Sequence, residues 1–143
     1  MTPPAPDPDY EQKTRESFNR QAVMQTIGAT LESIKPGGVT IELPFNAQYT
    51  QQNDFMHAGI ISTVLDSACG YAAFTLMPAG ADVLTVEFKV NLLRPAKGKF
   101  FTAKARVVKA GLSISVTEAS LFSSDYGEKE VATMSATMMA IYA

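Results

Sequence analysis

The sequence predicts an α+β domain, a curved and mainly antiparallel sheet wrapped around one long central helix, with an extra helix at the N-terminus. Two observations lead there. The stretch from about His57 to Met77 is apolar nearly all the way round, through Ile60, Ile61, Val64, Leu65, Ala68, Ala72, Ala73 and Leu76, so it reads as a helix buried on most sides. After it come four extended runs joined by short connections, with no crossover helix between them, which makes the sheet mainly antiparallel. Only that helix is apolar enough to fill the sheet's concave face.

Residues 1–8 hold Pro3, Pro4, Pro6 and Pro8 and read as a loose tail, followed by a single domain over 9–143. Asp9 can cap a helix at about 9–26, with Gln12 completing a capping box, Gly28 stopping it, and Phe18, Ala22 and Val23 on its apolar side. From Ala29 to Pro44 the pattern is extended on both sides of Pro36-Gly37-Gly38, as in a hairpin. Pro78 and Gly80 close the long helix. Leu84, Val86, Phe88, Val90 and Leu92 then alternate with Thr85, Glu87, Lys89 and Asn91, the pattern of a half-buried strand. Three further strands are expected at 99–109, 112–123 and 129–142, parted by Lys109-Ala110-Gly111 and by Ser123-Ser124-Asp125-Tyr126-Gly127.

Composition narrows the function. Of 143 residues 46% are hydrophobic and 18% charged, which excludes a charge-disordered chain. Twelve Lys+Arg against fourteen Asp+Glu leave a net charge of −2, so no basic field draws nucleic acid or anionic lipid. One cysteine, Cys69, and one histidine, His57, leave neither a disulfide framework nor a zinc cluster. The N-terminus lacks a signal-peptide pattern, and the longest uncharged run, Ser67–Ala81, is fifteen residues, short of a membrane span. A cytoplasmic protein acting on neither nucleic acid nor membrane is the expectation.

Asp66 is the residue that needs explaining, because an unpaired carboxylate in apolar surroundings is costly. Helical spacing sets it on a strip of small residues, Gly59, Ser62, Thr63 and Gly70, open to a partner backbone or to a substrate. It is either a structural Asp bonded to a neighbouring strand or a general base or nucleophile. His57 and Gly59 stand where the helix begins, and the first amides there suit an oxyanion or a polarised carbonyl. Cys69 lies twelve residues from His57 along the same helix, roughly 18 Å, and reads as a small core residue.

The run Asn53-Asp54-Phe55-Met56-His57-Ala58-Gly59, followed by Asp66 in Val-Leu-Asp-Ser-Ala-Cys-Gly-Tyr-Ala, resembles the hot-dog fold thioesterases of the phenylacetate-degradation (PaaI-like) group. Leu84 to Ala96, ending in Arg94-Pro95-Ala96, and the turn Lys109-Ala110-Gly111 agree with it, and the match covers about residues 15–142. The resemblance implies a hot-dog fold and hydrolysis of acyl-CoA thioesters by a homodimer or a dimer of dimers, with no cofactor beyond the CoA of the substrate and no metal. It implies Asp66 as the catalytic carboxylate, Ala58 and Gly59 as the oxyanion turn, and Thr85 as a hydroxyl orienting water. Gln51 stands where the family often has Asn, and Ala58 where it has a first Gly.

From Gly59 to Asp66 is about 10.5 Å along one helix, too far for both to surround one thioester carbon, so a second copy should supply one of them. Arg94, Lys97 and Lys109 are candidates for the CoA phosphates. Tyr71, Phe74, Met77 and the Met24 region could line an aryl or an alkyl pocket. The alternative is a non-catalytic acyl-CoA binding or sensing protein on the same fold. A dehydratase of this fold would carry His at position 71, where this chain has Tyr71.

Overall fold

Residue alternation in the extended runs becomes, in the computed structural model, which describes residues 4–142, one six-stranded antiparallel sheet. The strands are β1 (Thr30–Lys35), β2 (Gly38–Pro44), β3 (Ala81–Leu92), β4 (Phe100–Ala110), β5 (Ile114–Ser123) and β6 (Glu130–Tyr142), in the order β1-β2-β4-β5-β6-β3. The predicted hairpin is β1–β2, turning at Pro36 and Gly37. The long helix is α3 (Ala58–Phe74), packed on the concave face, with Ile61, Val64, Leu65, Ala68 and Ala72 buried against Ile41, Leu43, Phe101, Leu121 and Met138. Burying each large aliphatic side chain of this set contributes about 1.5–3 kcal/mol. The run Ala68-Cys69-Gly70 and Ala72-Ala73 lets the helix backbone lie close to the strands. This is the α+β hot-dog architecture, as expected.

The N-terminal helix departs from the expected single span at 9–26. Gln21 takes an extended conformation (φ −80, ψ 96) and divides it into α1 (Tyr10–Arg20) and α2 (Ala22–Ile27). The break changes the helical phase, so Ala22 and Val23 are exposed, Val23 by 44%, while Phe18, Met24 and Ile27 are buried. The capping box does not form. Asp9 makes no side-chain cap bond; its own N–H donates to Asp7 Oδ1 at 2.9 Å, and Gln12 bonds Glu16 instead. Asp7 also pairs with Lys13 at 3.2 Å and is buried, so the proline-rich segment is anchored there. Of the predicted tail, residues 1–3 lie outside the described residues.

β3 holds the second departure. Thr85 pairs with Met138 and Glu87 with Thr137, leaving Val86 as a bulge. On β6 the residues facing α3 are Met138, Ala136, Met134 and Ala132, all buried. Their partners on β3 are therefore Thr85, Phe88, Val90 and Leu92, so the inward face switches from odd to even numbers at Val86. Leu84 and Val86, which strict alternation groups with Phe88, are 50% and 53% exposed. β3 is also an edge of the sheet, twelve residues long and bonded only to β6 on one side, and in one chain it is far more exposed than a half-buried strand.

Candidate active site

The approach to α3 is a chain of backbone bonds. Gln51 N–H donates to Phe55 O at 2.8 Å, closing a turn in which Asp54 takes a left-handed φ of 66. Met56 N–H donates to Ala96 O and His57 N–H to Tyr49 O, each at 2.9 Å. The Arg94-Pro95-Ala96 segment thus clamps the strand entering the helix. His57 is the N-cap, extended at φ −60 and ψ 139, and its Nδ1 accepts the Gly59 N–H at 2.8 Å. A Cβ on Gly59 would stand 3.1 Å from that nitrogen, which is why a glycine fits here. The amide expected to bind an oxyanion at Gly59 is therefore occupied by the imidazole. The Ala58 N–H has no hydrogen-bond partner among the described residues and points from the positive end of the helix.

Gln51 is anchored at one end. Its Oε1 accepts the Asn53 N–H at 2.5 Å and the Phe55 N–H at 3.3 Å. Because both partners are donors, the anchored atom is the oxygen and the side-chain NH₂ is left to face outward. Gln51 and Ala58 line one cavity of about 350 Å³ together with Ile61, Leu92 and Arg94.

Asp66 faces a different cavity, an open groove of about 800 Å³ between α3, β3 and the α1–α2 junction. It is half-buried, and Thr85 Oγ1 donates to its Oδ1 at 2.7 Å. Burial pushes its carboxyl above the usual carboxylate range, and the Thr85 hydrogen bond pulls the other way. The bulge at Val86 brings the Thr85 hydroxyl to this face. Gly59, Ser62, Thr63 and Gly70, the small residues of the predicted strip, border the same groove.

The other sequence candidates divide. Arg94 lies at the smaller cavity and its Nη1 donates to Glu130 O at 2.6 Å; Lys97 follows in the same loop, its Nζ 5.9 Å from the Tyr126 ring centre. Lys109 does not join them. It sits at the far end of β4, nine residues from Phe100 and so roughly 30 Å away, because an extended strand advances about 3.3 Å per residue. Cys69 is buried and desolvation pushes its thiol up to about 12, so it is no nucleophile. Tyr71 borders the groove, whereas Met24 and Met77 are core residues and Phe74 packs against Tyr71 from behind. Ser17, Arg20 and Gln21 escaped the sequence reading although they line the groove. Their i, i+3, i+4 spacing, one polar face of a helix, is the signal that could have revealed them. Among the described residues no three His, Cys, Asp or Glu side chains cluster as metal ligands, and no helix is long and apolar enough to cross a membrane.

A central helix clasped by an antiparallel sheet, with a fixed carboxylate midway along it and one free backbone amide, that of Ala58, at its start, defines a hot-dog enzyme site. Residues 53–129 match the family model of the thioesterase superfamily, and the chain belongs to that family, whose reaction is thioester hydrolysis. A crystal structure of a thioesterase family protein from Silicibacter pomeroyi superposes with a TM-score of 0.91 at 52% identity, over 94% of this chain and 99% of that one. Acyl-coenzyme A thioesterase 13 of Homo sapiens is 28% identical over 93 residues, 64% of this chain and 66% of that protein. The E. coli PaaI protein from the phenylacetic acid degradation operon shares the fold, with a TM-score of 0.86 at 20% identity over 96% of both chains.

Proposed function

We propose that this protein hydrolyses acyl-CoA thioesters in a site shared by two copies of the chain. The carrying observation is Asp66, a half-buried carboxylate fixed by Thr85 and open to a groove. Its raised proton affinity suits a base that takes a proton from water as the oxygen attacks the thioester carbon; in the other route the carboxylate attacks directly, and water then cleaves the acyl anhydride so formed to release the acid and restore Asp66. The carbonyl oxygen gains charge in either route and is met by the Ala58 amide and the Gln51 side-chain NH₂. The carbon–sulfur bond then breaks and CoA leaves as the thiol after taking up a proton.

Two features support assembly from two chains. Asp66 and the Gln51–Ala58 pair line separate cavities of one chain, and Gly59 and Asp66 are about 10.5 Å apart along the helix. The edge of β3, with Leu84, Val86, Phe88 and Leu92 exposed, is a template for pairing with a second copy about a two-fold axis. Such a dimer sets the Asp66 groove of one chain beside the smaller cavity of the other. Arg94 and Lys97 are then in place for the CoA phosphates. The test is release of free thiol from a panel of acyl-CoAs. Turnover lost in Asp66→Asn supports the reading; tight acyl-CoA binding without any release of thiol makes the protein a binder and overturns it.

A further inference from the structure

Beyond its bulge at Val86, β3 carries Phe88, Val90 and Leu92 on the inward face and two charges on the outward one, Glu87 opposite Thr137 and Lys89 opposite Ser135 of β6. Neither meets an opposite charge within the chain. Glu87 Oε1 accepts the Thr137 hydroxyl, which leaves Oε2 open, and Lys89 has no ion pair among the described residues. Both side chains are exposed, and the far edge of β3 has no strand beside it.

These facts limit how a second copy can add to that edge. Directly opposed residues of an antiparallel pair share a face of the sheet. A two-fold axis falling between two residues would oppose inward to outward side chains, so the axis must pass through a residue. At Glu87 the axis sets that carboxylate against its own copy, and at Lys89 it does the same with the ammonium; like charges so opposed are destabilising. At Val90 or beyond, Val83 and Thr85 have no strand to face, because β3 ends at Leu92. At Phe88 both conditions are met. Glu87 then stands opposite the partner's Lys89, and Lys89 opposite the partner's Glu87. Past the bulge, where β3 has one residue extra, Thr85 meets the partner's Val90 and Val83 the partner's Leu92, inward against inward.

The same register joins the two cavities. Val83, Thr85 and Phe88 border the Asp66 groove, and Leu92 borders the cavity of Gln51 and Ala58. Opposed side chains of paired strands are only about 5 Å apart, so the groove of one chain runs into the smaller cavity of the other. We infer that two copies of this chain pair β3 to β3 about a two-fold axis through Phe88, with Glu87 of each opposite Lys89 of the other setting the register that completes the site. The inference rests on the reading of a site shared by two chains.

Charge reversal tests it. In Lys89→Glu and in Glu87→Lys, like charges are opposed twice per dimer, and each homodimer should be about tenfold weaker than native. In a mixed dimer of the two variants both pairs are again opposite in sign. After the variants are refolded together, one carrying a mass tag, native mass spectrometry at low salt should therefore show the mixed dimer rising from the random half to about nine-tenths. High salt should return it toward half. On dilution, each single variant should lose its dimer and its thiol release at about tenfold higher protein concentration than native, while the exchange Glu87→Lys/Lys89→Glu behaves as native. A mixed fraction of one half at low salt, or a double exchange as weak as the single variants, overturns this register and leaves the shared site standing. A native chain that stays monomeric overturns both. Thiol release that persists in the dissociated variants, with the mixed dimer still favoured, supports the register and overturns the shared site instead.

Discussion

Replacing Asp66 by Asn isolates the charge from the shape. Asn keeps the volume, and its side-chain oxygen can still accept the Thr85 hydroxyl that now lies 2.7 Å from Oδ1. What is lost is the base. Turnover should fall by roughly 10²–10⁴, the usual contribution of a general base, which is about 2.7–5.4 kcal/mol of barrier. Stability should move the other way. Burial outweighs the Thr85 bond and raises the folded-state affinity of Asp66 for its proton above the ordinary value of 3.8. An ionised Asp66 therefore weighs against the folded state at neutral pH, and that cost vanishes once the pH falls below 3.8, where both states hold the proton. The Asn variant should melt at or above the native temperature at pH 7, with the advantage gone below about pH 4. Thiol-release assays and thermal melts by circular dichroism at both pH values check this. A folded variant with native turnover, or one that melts well below the native protein at pH 7, refutes the reasoning, the second because it makes Asp66 a structural tie.

Thr85→Val removes the bond that lowers the Asp66 proton affinity, so the acid limb of kcat/KM should move to higher pH; an unmoved limb contradicts the arrangement. Gly59→Val forces a side chain onto His57 Nδ1, only 3.1 Å from where its Cβ would be, and should inactivate the helix start. Refolded together with Asp66→Asn, it should recover roughly a quarter of native activity, since half of randomly paired dimers are mixed and each carries one intact site. Confirmed mixed dimers without activity would end the shared-site model. Changing Arg94 and Lys97 together to Ala should raise KM for a CoA thioester and leave a short thioester lacking CoA unaffected; an equal effect on both substrates shows damage rather than phosphate recognition.

The central helix was legible because residues 57–77 are apolar nearly all the way round, a pattern that burial on most sides satisfies. The last three strands were legible from turn chemistry at Gly111 and Gly127, and their observed ends fall within two residues of the expected ones. Asp66 was conspicuous for the same local reason, a lone charge in an apolar run. Other features depend on partners distant in the chain. Pairing with β6 creates the bulge at Val86, and the change of parity there turns Thr85 from its strand's polar set toward Asp66. Gln21 breaks a helix that its neighbours' propensities would continue, its side chain bonded to Ser67 and Tyr71 some fifty residues on. The Gly59 amide is taken by an imaginable but unpredictable acceptor, the His57 ring, leaving Ala58 as the free donor. Lys109 is separated from Arg94 by the length of β4, a distance that charge patterning along the chain does not encode. Local pattern sets each element and its buried face, because those follow from side-chain period and solvent. Register and strand order set which polar groups meet, because they are decided by pairing between segments that only the folded chain brings side by side.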